Sequence, residues 1–299
     1  MMLDNQVLDL IRKKSPWIEN PDIRPYVFVR PENRIEKFGH RHKLNWFSNN
    51  IIVKNPLEID ELEFAEQIYF MEGGAFGPSN MAMPRWVFYD CAVMPGLVAG
   101  YAMRTKALPP AIRNVMRHNE ACEWTPLSLF IAIPTMHRGE WVAHNLSSVN
   151  SLIKDKQDQL YGLGFMSKAF SLWYANMDQC SGMTQWGSPA LKLHSYYGHM
   201  EIVGAYAPVH SHAKTITYRV EVNTHCWEKF FNREQNLAFL ERYEPNGDLV
   251  DPKDEQSQIR LHRKIEAGQG PFYLSAAEIS EKNLQDPLNI FRLKSNQEI

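Results

Sequence analysis

The run Gln159-Leu160-Tyr161-Gly162-Leu163-Gly164 reads Q-x-x-G-x-G and opens directly into an amphipathic stretch. Behind the glycines, Leu163, Met166, Phe170, Trp173 and Tyr174 recur at helical spacing, so a helix begins at this run. Two glycines at a helix start allow several backbone N–H groups to converge on one point. The helix dipole adds partial positive charge there, so the run predicts a seat for a phosphate or pyrophosphate.

Upstream of the run, residues 127–133 (LSLFIAI) form the most apolar stretch of the chain. Their length and the flanking Pro126 and Pro134 predict a strand buried on both faces. Further upstream, residues 51–53 read as a short strand. Asn55-Pro56 reads as a helix start and Gly73-Gly74 as its stop. Residues 86–92 and 97–103, joined by Met94-Pro95-Gly96, read as an antiparallel hairpin with a type II turn. Downstream, Ser188-Pro189 opens a short helix that closes at Gly198, and residues 202–206 read as a strand. Ile216, Tyr218, Val220 and Val222 alternate with Thr217, Arg219 and Glu221 in a clear strand over 215–222. Residues 226–242 read as helical. Residues 1–50, interrupted by Pro16, Pro21, Pro25 and Pro31, read as an irregular extension.

Composition narrows the function classes. A chain of 299 residues with 44% hydrophobic and 12% aromatic content has enough apolar side chain for a sizeable core. A formal charge of −2 argues against general polyanion binding. No apolar run approaches the roughly 20 residues of a membrane span. Met1 to Trp17 mixes acidic and basic residues with aliphatics, unlike a secretory signal, and the four cysteines show no paired spacing. A cytoplasmic location and no membrane association are expected. The histidines at 40 and 42, at 210 and 212, and at 225 beside Cys226 have no finger-like spacing, so no metal site is expected.

The order strand, helix, hairpin, buried strand, glycine-pair helix, strand, short helix and two strands, with these motifs, resembles the GNAT superfamily of acyl-CoA-dependent N-acyltransferases. The segment Ser188-Pro189-Ala190-Leu191-Lys192-Leu193-His194-Ser195-Tyr196-Tyr197-Gly198-His199 is similar in outline to that family's N-x-A-x-x-L-Y-x-x-x-G-F helix. The resemblance covers roughly residues 50–222. It implies an α/β (α+β) fold with a mixed, mostly antiparallel central sheet and flanking helices. An acyltransferase domain over 51–222 would carry an irregular basic extension over 1–50 and a helical extension over 223–299.

The resemblance also implies roles. Gln159, Tyr161, Gly162, Leu163 and Gly164 would hold the CoA pyrophosphate. Phe130, Ile131 and Ile133 would offer a strand edge to the pantetheine arm. Ser188 stands at the family's asparagine. His194 stands at the tyrosine that protonates the departing thiolate, with Tyr197 or Tyr196 as the alternative. Glu123 is the first general-base candidate and Asp90 the second. Each has a structural alternative: Glu123 as a solvated strand-entry residue, Asp90 as an exposed or ion-paired one, His194 as a helix-packing one.

One departure concerns residues 140–158, which separate the buried strand from the glycine pair. Either they are an insertion, or Arg138-Gly139 is the true loop; the downstream spacing favours Gln159. The activity implied is direct transfer of an acyl group, acetyl in the first instance, from acyl-CoA to a primary amine. The acceptor is a small molecule or a macromolecule, and residues 71–83, rich in methionine and glycine, would line its pocket. Two alternatives stand beside it. Arg30, Arg34, Lys37, Arg41 and Lys43 would let a GNAT-like enzyme capture a nucleic acid. The histidines at 194 and 199, where the family has tyrosine and phenylalanine, suit a non-catalytic acyl-CoA-binding or interaction protein.

Overall fold

The computed structural model describes residues 12–13, 15–34, 50–94, 96–207, 214–222, 235–281 and 283–294. They divide into two compact units, residues 1–177 and 178–299.

The first unit contains β1 (Ile23–Phe28), β2 (Ile52–Lys54), α1 (Leu62–Phe76) and α2 (Arg85–Val93). After these come β3 (Leu97–Arg104), α3 (Pro110–Val115), β4 (Trp124–Pro126), β5 (Ser128–Pro134), β6 (Glu140–Ser148) and α4 (Leu163–Tyr174). Its strands run in the order β6-β5-β3-β1-β2, with β4 on β3 as well. Every pairing in this unit is antiparallel except β1 with β2. The fold class is therefore a mixed, mostly antiparallel sheet with flanking helices, as the resemblance implies.

Strand alternation assigns the two long helices to opposite faces. Ser128 and Phe130 of β5 meet Ser167 and Lys168 of α4. Leu129 points the other way, level with Ser147 of β6. Two residues along β6, Asn145 shares that face and bonds Glu72 of α1.

The α4 face is organised around Ser128. Its carbonyl accepts the Tyr26 hydroxyl at 2.8 Å, and its Oγ accepts the Tyr101 N–H at 3.0 Å. Ser167 Oγ lies 2.6 Å from Ser128 Oγ and 2.7 Å from the Leu163 carbonyl. The Ser167 hydroxyl is the donor in both contacts, its one proton shared between Ser128 Oγ and the Leu163 carbonyl. Gly100 sits where a Cβ would run into the Ser128 carbonyl oxygen, so only glycine fits there.

The second unit contains β7 (Gln179–Gln185), α5 (Pro189–Ser195), β8 (Gly198–Gly204), β9 (Thr215–Val222) and α6 (Gln235–Arg242). It continues with β10 (Tyr243–Val250), α7 (Glu255–Glu266), β11 (Phe272–Leu274), α8 (Ala276–Glu281) and β12 (Leu288–Leu293). Its order is β10-β12-β11-β8-β9-β7, with all pairs antiparallel. Phe239, Tyr243 and Phe291 form a buried aromatic cluster joined by Tyr273. His199 meets it edge-on and lies 2.9 Å from the Tyr243 hydroxyl.

Several expectations need correction. The hairpin expected before residue 103 is half helix: residues 86–92 lie in α2, whose Phe88, Cys91 and Ala92 bury at helical spacing. Its turn residue Pro95 lies outside the described residues. Gly73-Gly74 does not end α1, which runs on to Phe76; Gly74 instead lets the Leu152 side chain approach closely. The first 50 residues are not wholly irregular, because β1 is an inner strand and accommodates Pro25. The C-terminal portion carries three strands as well as helices. Residues 140–158 are no insertion, since residues 140–148 are strand β6. Arg138-Gly139 is the hairpin turn before it, with Gly139 at φ 80° and no helix following.

Two measurements test this packing. Gly100→Ala is expected to lower stability by about 2 kcal/mol through overpacking, read from the urea midpoint. His199 is held down to about 4, first by burial and then by the Arg242 charge. Its folded value lies below the unfolded one, so its stabilisation is complete above pH 6.5 and fades as pH falls towards 4. The slope stays below about 1.4 kcal/mol per pH unit, the limit for one proton's difference between the folded and unfolded states. Urea midpoints between pH 4 and 7 should show it, and His199→Gln should flatten it.

Candidate functional site

The glycine run closes a loop that begins where β6 ends. Gly162 adopts φ 75°, the left-handed conformation that glycine tolerates, and caps α4. Gly164 falls inside the first turn. The first N–H groups of a helix have no intrahelical acceptor and point back along its axis; here that of Leu163 donates to the Leu160 carbonyl of the loop at 3.1 Å.

Side chains staple this loop. Asn150 donates from Nδ2 to the Leu160 carbonyl at 2.8 Å and accepts the Leu160 N–H on Oδ1 at 2.9 Å. Gln159 donates from Nε2 to the Asn150 carbonyl at 3.1 Å and the Ile153 carbonyl at 2.9 Å. Trp17 donates from Nε1 to the Tyr161 carbonyl at 2.8 Å. The Gln159 amide is thus committed to shaping the loop, while the Tyr161 ring stands exposed.

The strand that feeds the loop is irregular at one point. Phe130 pairs with Leu146 and Ala132 with Ala143, so two β5 steps face three on β6. Ile131 therefore opposes both His144 and Asn145, a β-bulge that re-aims its side chains. His144 Nδ1 lies 3.0 Å from Asn145 Oδ1. Asn145 Nδ2 donates to Glu72 Oε1 at 2.7 Å. The Glu72 carboxylate also accepts the Met83 N–H, at 3.0 Å on Oε1 and 3.2 Å on Oε2. Burial pushes the Glu72 carboxyl up, opposed by the Met83 N–H and the Asn145 amide, which favour its ionised form. Nearby on α1, Glu66 accepts Arg85 Nη1 at 2.6 Å and the Tyr89 hydroxyl at 3.2 Å.

The residues singled out from the sequence are therefore dispersed. Phe130 and Ile131 are buried in β5, and β5 is bonded to β3 on one side and β6 on the other. Its backbone has no edge to give a ligand, which corrects that expectation; β6 is the strand that leads into the loop. Ile133 lies towards the end of β5. Glu123 is exposed and pairs with Arg104 at 2.7 Å. Asp90 is exposed on α2. Neither is brought to the loop by any contact described for it. In the second unit, the Ser188 hydroxyl caps α5 by accepting the Leu191 N–H at 3.3 Å. His194 is buried and stacks on Tyr218 with centroids 5.0 Å apart, and Tyr197 is fully buried. Met71 and Met83 are buried in the first unit. The histidines at 40, 42, 210, 212 and 225, with Cys226, lie outside the described residues, as do Lys37, Arg41 and Lys43. Among the described residues no cluster of three His, Cys, Asp or Glu is arranged for a metal, and no helix is long and apolar enough to cross a membrane.

The sequence reading passed over Asn150, His144, Asn145 and Glu72. For Glu72 a signal exists: it falls on the stripe Ala65, Ile68, Met71 and Glu72, a carboxylate at a core position of a helix.

No protein-family model matches the chain, and no curated protein does. Among solved structures the chain is similar to an aminoglycoside 6'-acetyltransferase type Ii, at 10% identity and TM-score 0.38, over 55% of this chain and 94% of that one. It is also similar to a chain of the NatC complex bound to Gag peptide and CoA, at 12% identity and TM-score 0.36, over 56% and 96%. A third similar structure is a CoA-dependent acyl-homoserine lactone synthase with SAM and isopentyl-CoA, at 10% and 0.38, over 71% and 89%.

The staple is testable. Asn150→Ala removes both bonds to Leu160 and should lower stability by about 2 kcal/mol in urea unfolding, with faster hydrogen exchange at the Leu160 amide.

Proposed function

We propose that the first unit binds an acyl-CoA and that the protein transfers the acyl group, acetyl in the first instance, to a primary amine. The observation that carries this reading is the stapled loop running from the bulged strand β6 into the first turn of α4. A pyrophosphate needs several convergent donors, and the backbone N–H groups of Gly162 and Gly164 are proposed for it, with the Leu163 N–H held on the Leu160 carbonyl at 3.1 Å. Side-chain charge contributes little: over residues 149–164, Lys154 and Lys156 are balanced by Asp155 and Asp158. The anion would be held by oriented backbone dipoles, so the loop's shape matters more than its charge. Gln159, Asn150 and Trp17 maintain that shape. The exposed Tyr161 ring offers an apolar surface beside the seat.

The thioester supplies the activated acyl group. In this reading β6 leads from the loop to the bulge at His144 and Asn145, where the acyl carbon and the amine meet. Holding the two reactants together accounts for much of the rate of such a transfer, with no covalent intermediate on the protein.

Isothermal titration with acetyl-CoA, and with longer acyl-CoAs, tests the reading. Saturable binding is expected for the wild type. Gly164→Phe should abolish it by filling the seat, with the melting temperature changed by a few degrees at most. A folded wild-type protein that binds no CoA thioester overturns the proposal.

A further inference from the structure

The bulge on β6 places an exposed imidazole at the end of a hydrogen-bonded chain that runs inward to the buried Glu72. Side chains of adjacent strand residues ordinarily point to opposite faces, so His144 and Asn145 should not meet. The extra residue opposite Ile131 brings them together, with Nδ1 and Oδ1 3.0 Å apart. The proton positions in this chain follow from donor chemistry. As a carboxylate, the form its Met83 and Asn145 partners favour, buried Glu72 accepts the Met83 N–H and can accept only a donor from Asn145. The Asn145 amide must therefore turn its NH2 towards Glu72, at 2.7 Å, and its carbonyl towards His144. That carbonyl is an acceptor only, so His144 must carry its proton on Nδ1. The lone pair is left on Nε2, on a ring open to solvent.

We infer that His144 is the proton-accepting residue of the site, with Asn145 and Glu72 as positioning residues that fix its tautomer and ring orientation. The inference rests on the acyl-transfer reading given above. As the acceptor nitrogen forms its bond to the acyl carbon, Nε2 takes the nitrogen's proton, and Nδ1–H stays on Asn145. As the carbon–sulfur bond breaks, the imidazolium returns that proton to the thiolate sulfur. The products are the amide and the free thiol, and the imidazole is neutral again. Met83 gives the chain its anchor: its N–H holds Glu72 from the segment joining α1 to α2.

The test uses the full-length protein with 15N-labelled histidine. Two-bond 15N–1H correlation reads which ring nitrogen of His144 carries the proton. Wild type should show the Nδ1–H form, and Asn145→Ala should shift the population towards Nε2–H while the melting temperature moves by only a few degrees. Thiol release from acetyl-CoA, with ethylamine or with water as acceptor, gives the kinetic arm. His144→Ala should lower kcat about a hundredfold while acetyl-CoA affinity by calorimetry stays at the wild-type value. Glu72→Gln keeps an acceptor for Asn145 and should retain more of kcat than Glu72→Ala. An Nε2–H form in the wild type, or a His144→Ala variant with more than half the wild-type kcat, overturns the inference while leaving acyl-CoA binding intact. Loss is assigned to the acyl-transfer reading itself if the wild type binds no acyl-CoA, and the tautomer then decides the hydrogen-bond chain separately.

Discussion

The hydroxyl of Ser128 is the point on which the first unit turns. It accepts the Tyr101 N–H from β3 and the Ser167 hydroxyl from α4, and that hydroxyl also reaches the Leu163 carbonyl at the head of α4. One polar chain thus runs from the sheet to the first residue of the helix that carries the glycine seat. A buried polar chain of this kind is stabilising only when every member is satisfied, and then it also fixes a unique geometry. The helix start is therefore positioned by the core rather than by the loop that precedes it.

Two polar constructions on opposite faces of one sheet divide the work. On the α4 face, Ser128 sets the helix start while Asn150, Gln159 and Trp17 set the loop. On the α1 face, Glu72 and Asn145 set the orientation of His144. The bulge in β6 connects them, because the same strand ends in the loop. Precision in both comes from side chains held on backbone groups, since each amide uses its donors and acceptor in fixed directions.

The glycine-pair helix was legible because its signals are local: two glycines, then apolar residues at three- and four-residue spacing. The strand over 215–222 was legible through its alternation and the helix after Ser188 through its cap. Other elements hide their period. Residues 86–92 are rich in aromatic and β-branched side chains, which suit a strand, yet they bury as a helix. In β6, the bulge at His144 breaks the alternation that would have betrayed a strand, so residues 140–148 read as an insertion. The site was harder still. Glu72 and Asn145 are 73 residues apart, and a pairing at that distance leaves no trace in a single sequence. Glu123 and Asp90 attracted notice as acids near expected strands, but the fold leaves both in solvent.

The bond from Trp17 to the Tyr161 carbonyl spans 144 residues. Closing so long a span costs chain entropy that local contacts do not repay until the sheet is nearly complete. During synthesis, the segment bearing Trp17 must wait for most of the first unit to emerge before it finds its partner. The loop would acquire its final tie late, so a partly made chain carries the glycine run without the shape that gives it meaning. A product shortened at its beginning would face the same deficit permanently, with its helices and strands largely formed and its loop unfinished.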